Sequence, residues 1–169
     1  METSILFAIL LAAALIALVG WRAKAERFRA LSWAAVGLAS ALFWGLLAIG
    51  LRLYFWETYY SYFTPAWSRW LAPLAAVLYF FIGLFLRWIA LHLPGNPAIT
   101  FLLLGGLESI PEHALGIYRF HILDIPLLEG SPPLSIFLFA FFEYIVYWSI
   151  VLGLALLLGR LLPTPPAAS

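Results

Sequence analysis

The chain of 169 residues is 65% hydrophobic and 10% charged, with a mean hydropathy of +1.02, whereas an ordinary soluble domain carries roughly 25% charged residues. That balance excludes a soluble globular protein and predicts an integral membrane protein, its length taken up by apolar runs of about 20 residues, as a bilayer core of ~30 Å requires. A net charge of +1 without a long polybasic tract excludes nucleic acid as a partner, and the lack of cysteine excludes disulfides, thiolate-held iron–sulfur clusters and cysteine-type zinc sites.

Residues 5–20 form the first apolar run, with Glu2 before it and Arg22, Lys24, Arg27 and Arg29 after it. A secretory signal peptide carries its positive charges first, so this order predicts a retained helix with its N-terminus outside and a cytoplasmic basic cluster. The cluster reads first as a topology anchor and only second as a binder of anionic lipid. In the second span, 31–53, Gly37, Ala41, Gly45 and Ala48 recur at spacings of three and four, which lets a neighbouring backbone approach closely. Arg52 continues that stripe; snorkelling to the outer interface is preferred over pairing with a carboxylate. Residues 55–70 read as an external interfacial loop in which Glu57 is exposed.

The third span, 71–93, returns to the cytoplasm and places Ala72, Ala76, Tyr79, Gly83, Arg87 and Ala90 on one stripe. Arg87 either snorkels inward or turns towards a carboxylate, and His92 is a solvated histidine at the inner boundary. After the turn Pro94-Gly95-Asn96-Pro97, the fourth span, 98–118, carries the segment that stands apart from the rest, GGLESIPEHALGIYRFH at 105–121. Gly105, Glu108, Ser109, Glu112, His113 and Gly116 fall at helical spacing on one stripe, and Leu107, Ile110, Ala114, Leu115 and Ile117 fill the opposite face. Pro111 is expected to kink this helix between its two glutamates. Residues 119–133, with His121, Asp124 and Glu129, form a second external connection that lies in the interface or folds back over the bundle. The fifth span, 134–160, is interrupted only by Glu143 and ends inside at Arg160; residues 163–169 are a disordered tail by composition. The expected architecture is therefore all-α: a five-transmembrane-helix bundle in one polytopic domain, 1–162, with the N-terminus outside and the C-terminus cytoplasmic, in the cell membrane.

Depth ties the polar groups together. Glu108 lies roughly 15 Å from the inner end of its span, Glu112 about 6 Å further out, and Glu143 about 14 Å below the outer end of the last span. Tyr147 follows Glu143 by one helical turn. Glu108, Glu112, His113, Glu143 and Tyr147 can thus face one interior point. A carboxylate at the bilayer centre costs about 2.5 kcal/mol or more, so three of them call for protonation into a neutral network, pairing with Arg52 and Arg87, or a bound cation. In the metal form of that last reading, Glu108, Glu112, His113 and Glu143 are ligands for iron, manganese or zinc, Tyr147 is a hydrogen-bond donor, and His121 and Asp124 complete an outer site. The chain lacks paired Glu-x-x-His and His-Glu-x-x-His motifs, and adjacent Glu112 and His113 point about 100° apart on a regular helix.

The leading expectation is a site on helices four and five for a cation or small polar ligand, open to the outside, with a metal-dependent enzyme as one form of it. Two alternatives come from other classes. One is a non-catalytic membrane subunit that packs against larger partners or a second copy and holds a pigment, quinone or lipid. The other is a proton- or ion-coupled transporter relaying through Glu108 and Glu143, although no internal repeat supports an inverted-repeat architecture.

Overall fold

The computed structural model describes residues 2–54, 65–121, 123 and 128–161. These are helical in every regular element: α1 (Glu2–Arg22), α2 (Ala25–Ala30), α3 (Trp33–Tyr54), α4 (Pro65–His92), α5 (Pro97–His113) running into a π-helical turn (Ala114–Arg119), and α6 (Pro133–Leu161). Three helical segments, Ser4–Arg22, Ala72–His92 and Pro133–Leu161, are long and apolar enough to cross a membrane, and Trp33–Ile49 is a shorter apolar helix. Their large side chains reverse the soluble pattern: Ile16, Val19, Val77, Phe81 and Leu134 are all exposed, as expected where lipid is the solvent.

Local sequence explains the boundaries. Asn96 starts α5 by accepting hydrogen bonds from the amides of Ala98 and Ile99 at 3.0 and 3.3 Å, with Pro97 in the first turn, where its missing donor is harmless. The Asn96 amide nitrogen also donates to the Arg22 carbonyl at 2.7 Å, fastening this turn to the end of α1. Gly95, at φ 105°, supplies the left-handed backbone the turn needs. Residues 65–70, expected in a loop, are the first turns of α4. Pro111 does not end α5; the chain continues as helix past it and widens into the π turn, where the Phe120 amide reaches back to the Leu115 carbonyl at 2.8 Å.

α4 and α6 each pack against both α3 and α5, so these four helices form a ring. α1 lies outside it against α6 and α5, joined to α6 by the Trp21 indole N–H donating to Ser149 Oγ at 2.8 Å. The small-residue stripes of the second and third spans face each other: a Cβ on Gly45 would sit 3.3 Å from that of Ala76, and one on Gly83 would strike Ser40. On α5, a Cβ on Gly105 would overlap the Trp148 indole and one on Gly106 would stand 3.0 Å from the Phe141 carbonyl oxygen, so this glycine pair seats α6 directly on α5.

Arg87 neither snorkels out nor meets a carboxylate. Buried on α4 with 3% of its surface accessible, it donates to the carbonyls of Phe28, Arg29 and Leu31 and lies over the Trp33 ring at 4.8 Å. Its planar fork of donors caps the last turn of α2, where the Phe28 carbonyl also accepts from the Leu31 amide at 3.2 Å. Fully buried Phe28 plugs α2 into the bundle from the same side. These two side chains account for a short helix where the sequence suggested only a loop.

Candidate functional site

The ring of α3 to α6 carries a polar and aromatic cluster built around the carboxylates of α5 and α6. Glu112 Oε2 accepts from two phenols, Tyr79 of α4 and Tyr144 of α6, at 2.5 and 2.7 Å, and the two phenol oxygens lie 3.5 Å apart. One turn along α6, Tyr147 donates to Glu143 Oε1 at 2.5 Å, a same-face pair at i, i+4. Glu112 is near enough to both Glu108 and Glu143 for each to feel its charge. Glu112 is exposed, whereas Glu108 and Glu143 are half-buried, so the cluster opens at Glu112.

Other polar groups on the α5 stripe are satisfied by their own helix. Ser109 Oγ donates to the Gly106 carbonyl at 2.7 Å, and the His113 Nδ1 to Ser109 carbonyl contact is 2.9 Å. A proton on Nδ1 in that contact fixes the tautomer that leaves Nε2 with the lone pair. The ring is buried and stands edge-on to Tyr144 at 5.6 Å.

Around the carboxylates stands an aromatic wall. Trp44 of α3 stacks on Tyr79 at 3.9 Å and 17°, and its ring lies 5.0 Å from Tyr144, 5.6 Å from Tyr147 and 6.0 Å from Trp148. Phe101 meets Trp148 edge-on at 5.2 Å. Three buried polar atoms here have no hydrogen-bond partner: Glu108 Oε2 and the indole nitrogens of Trp44 and Trp148. Trp148 turns its indole N–H towards the Glu108 carboxylate, so these two groups are each other's nearest partner although they stand outside strict hydrogen-bond geometry. Each such orphan costs about 1–3 kcal/mol, more when charged, so a concentration of them in one place needs a reason.

Among the described residues no cationic side chain pairs with these carboxylates. Among the described residues the one ion pair is Arg29 with Glu26, 3.7 Å apart on α2. Arg87 is committed to α2, so it does not neutralise Glu108 or Glu143. Of the other residues expected at the site, His121 is exposed beyond the π turn with a left-handed φ of 52°, and the Arg52 side chain, Glu57 and Asp124 lie outside the described residues. No group of three or more His, Asp or Glu side chains gathers as a metal-holding set among the described residues. Glu112 instead spends an oxygen on two tyrosines.

Sequence reasoning placed the glutamates, His113 and Tyr147 together but passed over Tyr79, Tyr144, Trp44 and Trp148. Aromatic residues of membrane helices commonly anchor at the interface, which is at span ends. These four sit in the middle thirds of α3, α4 and α6, a depth at which an indole N–H or phenol needs a partner inside the protein. That signal was available. Compared with known proteins, the chain matches no family model, no curated protein and no solved structure.

Proposed function

We propose that this is a multi-pass cell-membrane protein in which α1 and α3 to α6 cross the bilayer, with the N-terminus outside and the C-terminus cytoplasmic, and in which the α3–α6 ring binds a cation or small polar ligand at Glu108, Glu112 and Glu143. The topology is supported by basic residues at the ends of α1 and α6 and on α2, namely Arg22, Arg160, Arg27 and Arg29. The binding reading is carried by one observation: a buried oxygen of Glu108 meets no partner in hydrogen-bond geometry, and no cationic side chain pairs with it among the described residues. A ligand entering past exposed Glu112 supplies both. The donor set disfavours the iron, manganese or zinc form of this site, because tyrosine and tryptophan donors crowd the carboxylates where a metal needs further lone pairs.

The test is a panel of sodium, potassium, calcium, ammonium and ethanolamine salts added to the purified protein in nanodiscs while unfolding is followed. A ligand at about 100 times its Kd stabilises by ~2.7 kcal/mol, which for a chain of this size moves Tm by roughly 5 °C or more. Such a shift in the natural protein, lost in Glu108→Gln, is the expected result. A flat response across the panel would overturn the proposal.

A second reading has its own observation. The Tyr79–Glu112–Tyr144 and Tyr147–Glu143 bonds form a hydroxyl and carboxyl array suited to passing protons. It requires pH-driven flux in liposomes that Glu108→Gln and Glu143→Gln each abolish; equal flux in all three proteins would remove it.

A further inference from the structure

Positive charge is concentrated where α1, α2 and α6 end. Five of the nine Lys and Arg residues belong to this region, Arg22, Lys24, Arg27, Arg29 and Arg160, and Glu26 is the one acidic residue on α2 and its flanks. The fold gathers these segments. Asn96 at the start of α5 bonds the Arg22 carbonyl, and a Cβ on Gly159 would stand 3.8 Å from Leu31 Cδ2, which places the end of α6 beside the residue that closes α2.

α2 holds its charges in fixed directions. Fully buried Phe28 and the Arg87 guanidinium fasten it to the bundle. Arg27 and Arg29, one residue to either side of Phe28, each diverge from it by about 100° on a helix, and both are exposed, as is Arg22. Lys24 Nζ lies 4.9 Å from the centre of the Trp21 ring.

Depth indicates what meets this face. Trp33 and Trp88 are 45% and 51% exposed; Trp33 lies against the Arg87 guanidinium, and Trp88 follows Arg87 in α4. Exposed tryptophans of membrane helices sit at headgroup level. Near the other end of α4, Trp70 is also exposed, about 27 Å along the axis from Trp88, so the two indoles bracket a hydrocarbon core of ~30 Å. Arg87, and with it α2, therefore stands at the depth of lipid phosphates.

We infer that α2 and the adjoining ends of α1 and α6 form a docking surface for anionic phospholipid headgroups, with Arg22 and Arg27 as the principal phosphate contacts. Charge complementarity selects this occupant: a zwitterionic headgroup brings its own cation, whereas an anionic one has a charge left to pair. Arg29 contributes less because Glu26, 3.7 Å away, already shares its charge. The inference rests on α1 and α6 crossing the bilayer and is independent of any ligand at Glu108.

The chain has no cysteine, so Ala30→Cys carries a single fluorophore on α2 and Leu134→Cys one at the opposite end of α6. The full chain in phosphatidylcholine vesicles is titrated with phosphatidylglycerol or phosphatidylcholine bearing a nitroxide at the top of one acyl chain, and quenching is read. At Ala30 phosphatidylglycerol should be preferred about fivefold, equivalent to ~1 kcal/mol, and the preference should vanish in 1 M salt, where the screening length is about 3 Å. Arg22→Gln with Arg27→Gln should erase it, and Glu26→Gln should raise it. Arg87→Met, which removes no exposed charge but releases α2, should lower it; if that variant does not fold, the glutamine variants decide. Equal quenching by the two lipids at Ala30, or the same preference at Leu134, overturns the inference. Quenching by neither lipid at either label removes the bilayer crossing on which it rests.

Discussion

Replacing Arg87 with methionine tests the assignment on which the charge balance of the bundle depends. The guanidinium makes bonds of 2.8, 3.3 and 2.5 Å to carbonyls of Phe28, Arg29 and Leu31. Bonds to a charged donor contribute about 1.5–3 kcal/mol each, but the sum overstates the loss. Methionine removes the buried charge together with its desolvation cost, and carbonyls at the end of α2 can regain water. A net loss of about 2–4 kcal/mol follows, and Arg87→Lys, which keeps the charge without the fork, should lose roughly half as much. Unfolding in nanodiscs measures the loss, and limited trypsin digestion locates it: cleavage at Lys24, Arg27 and Arg29 should accelerate while the apolar helices stay protected. The decisive arm is the cycle with Glu108→Gln. If Arg87 serves α2 alone, the two losses add within about 0.5 kcal/mol, as for independent sites. If removing Glu108 rescues Arg87→Met, the arginine is a counter-charge and the reasoning fails.

Gly105→Ala should destabilise by about 1–3 kcal/mol because its methyl overlaps the Trp148 indole, whereas Gly153→Ala, with open space around it, should be neutral or slightly stabilising; thermal unfolding of both decides. Asn96→Ala should cost about 1–2 kcal/mol by removing the α5 cap together with the tie to Arg22, seen as faster amide exchange in the first turn of α5. Tyr79→Phe and Tyr144→Phe should each cost about 1 kcal/mol, the double variant differing from the sum because both phenols serve one oxygen of Glu112; the double-mutant cycle measures that coupling.

The course of the spans was legible because lipid enforces long apolar runs and the chain interrupts them with strong punctuation. Pro94 to Pro97 forms the turn its composition suggested, and helical spacing put Gly105, Ser109 and His113 on a buried stripe whose edge carries half-buried Glu108 and exposed Glu112. α2 was illegible because six residues carry no usable period; it exists by virtue of a tertiary partner, Arg87, far away in sequence. Arg87 itself was read through a charge-pairing argument that weighed side chains and ignored backbone carbonyls, which in an apolar interior are acceptors of comparable value. Tyr144 was hidden by its position: one residue from Glu143 it points away on the helix, and only the placement of α5 decides which of the two faces Glu112.

Where the charges ended up bears on the proposed site. On α4, Tyr79 and Arg87 are two turns apart, about 12 Å along the axis, and they divide the labour of that helix: Arg87 closes the basic end of the bundle while Tyr79 turns its phenol to Glu112. An arginine moved up one or two turns would neutralise the carboxylates and leave an inert ion pair. Kept at the far end, it leaves Glu112 and Glu143 with hydroxyl donors, and none of the three carboxylates with a cationic partner among the described residues. Tyrosine bonds steady a carboxylate's position without cancelling its charge, so on the proposed binding reading the ring retains a demand for positive charge in a low-dielectric setting, where such a demand is strongest.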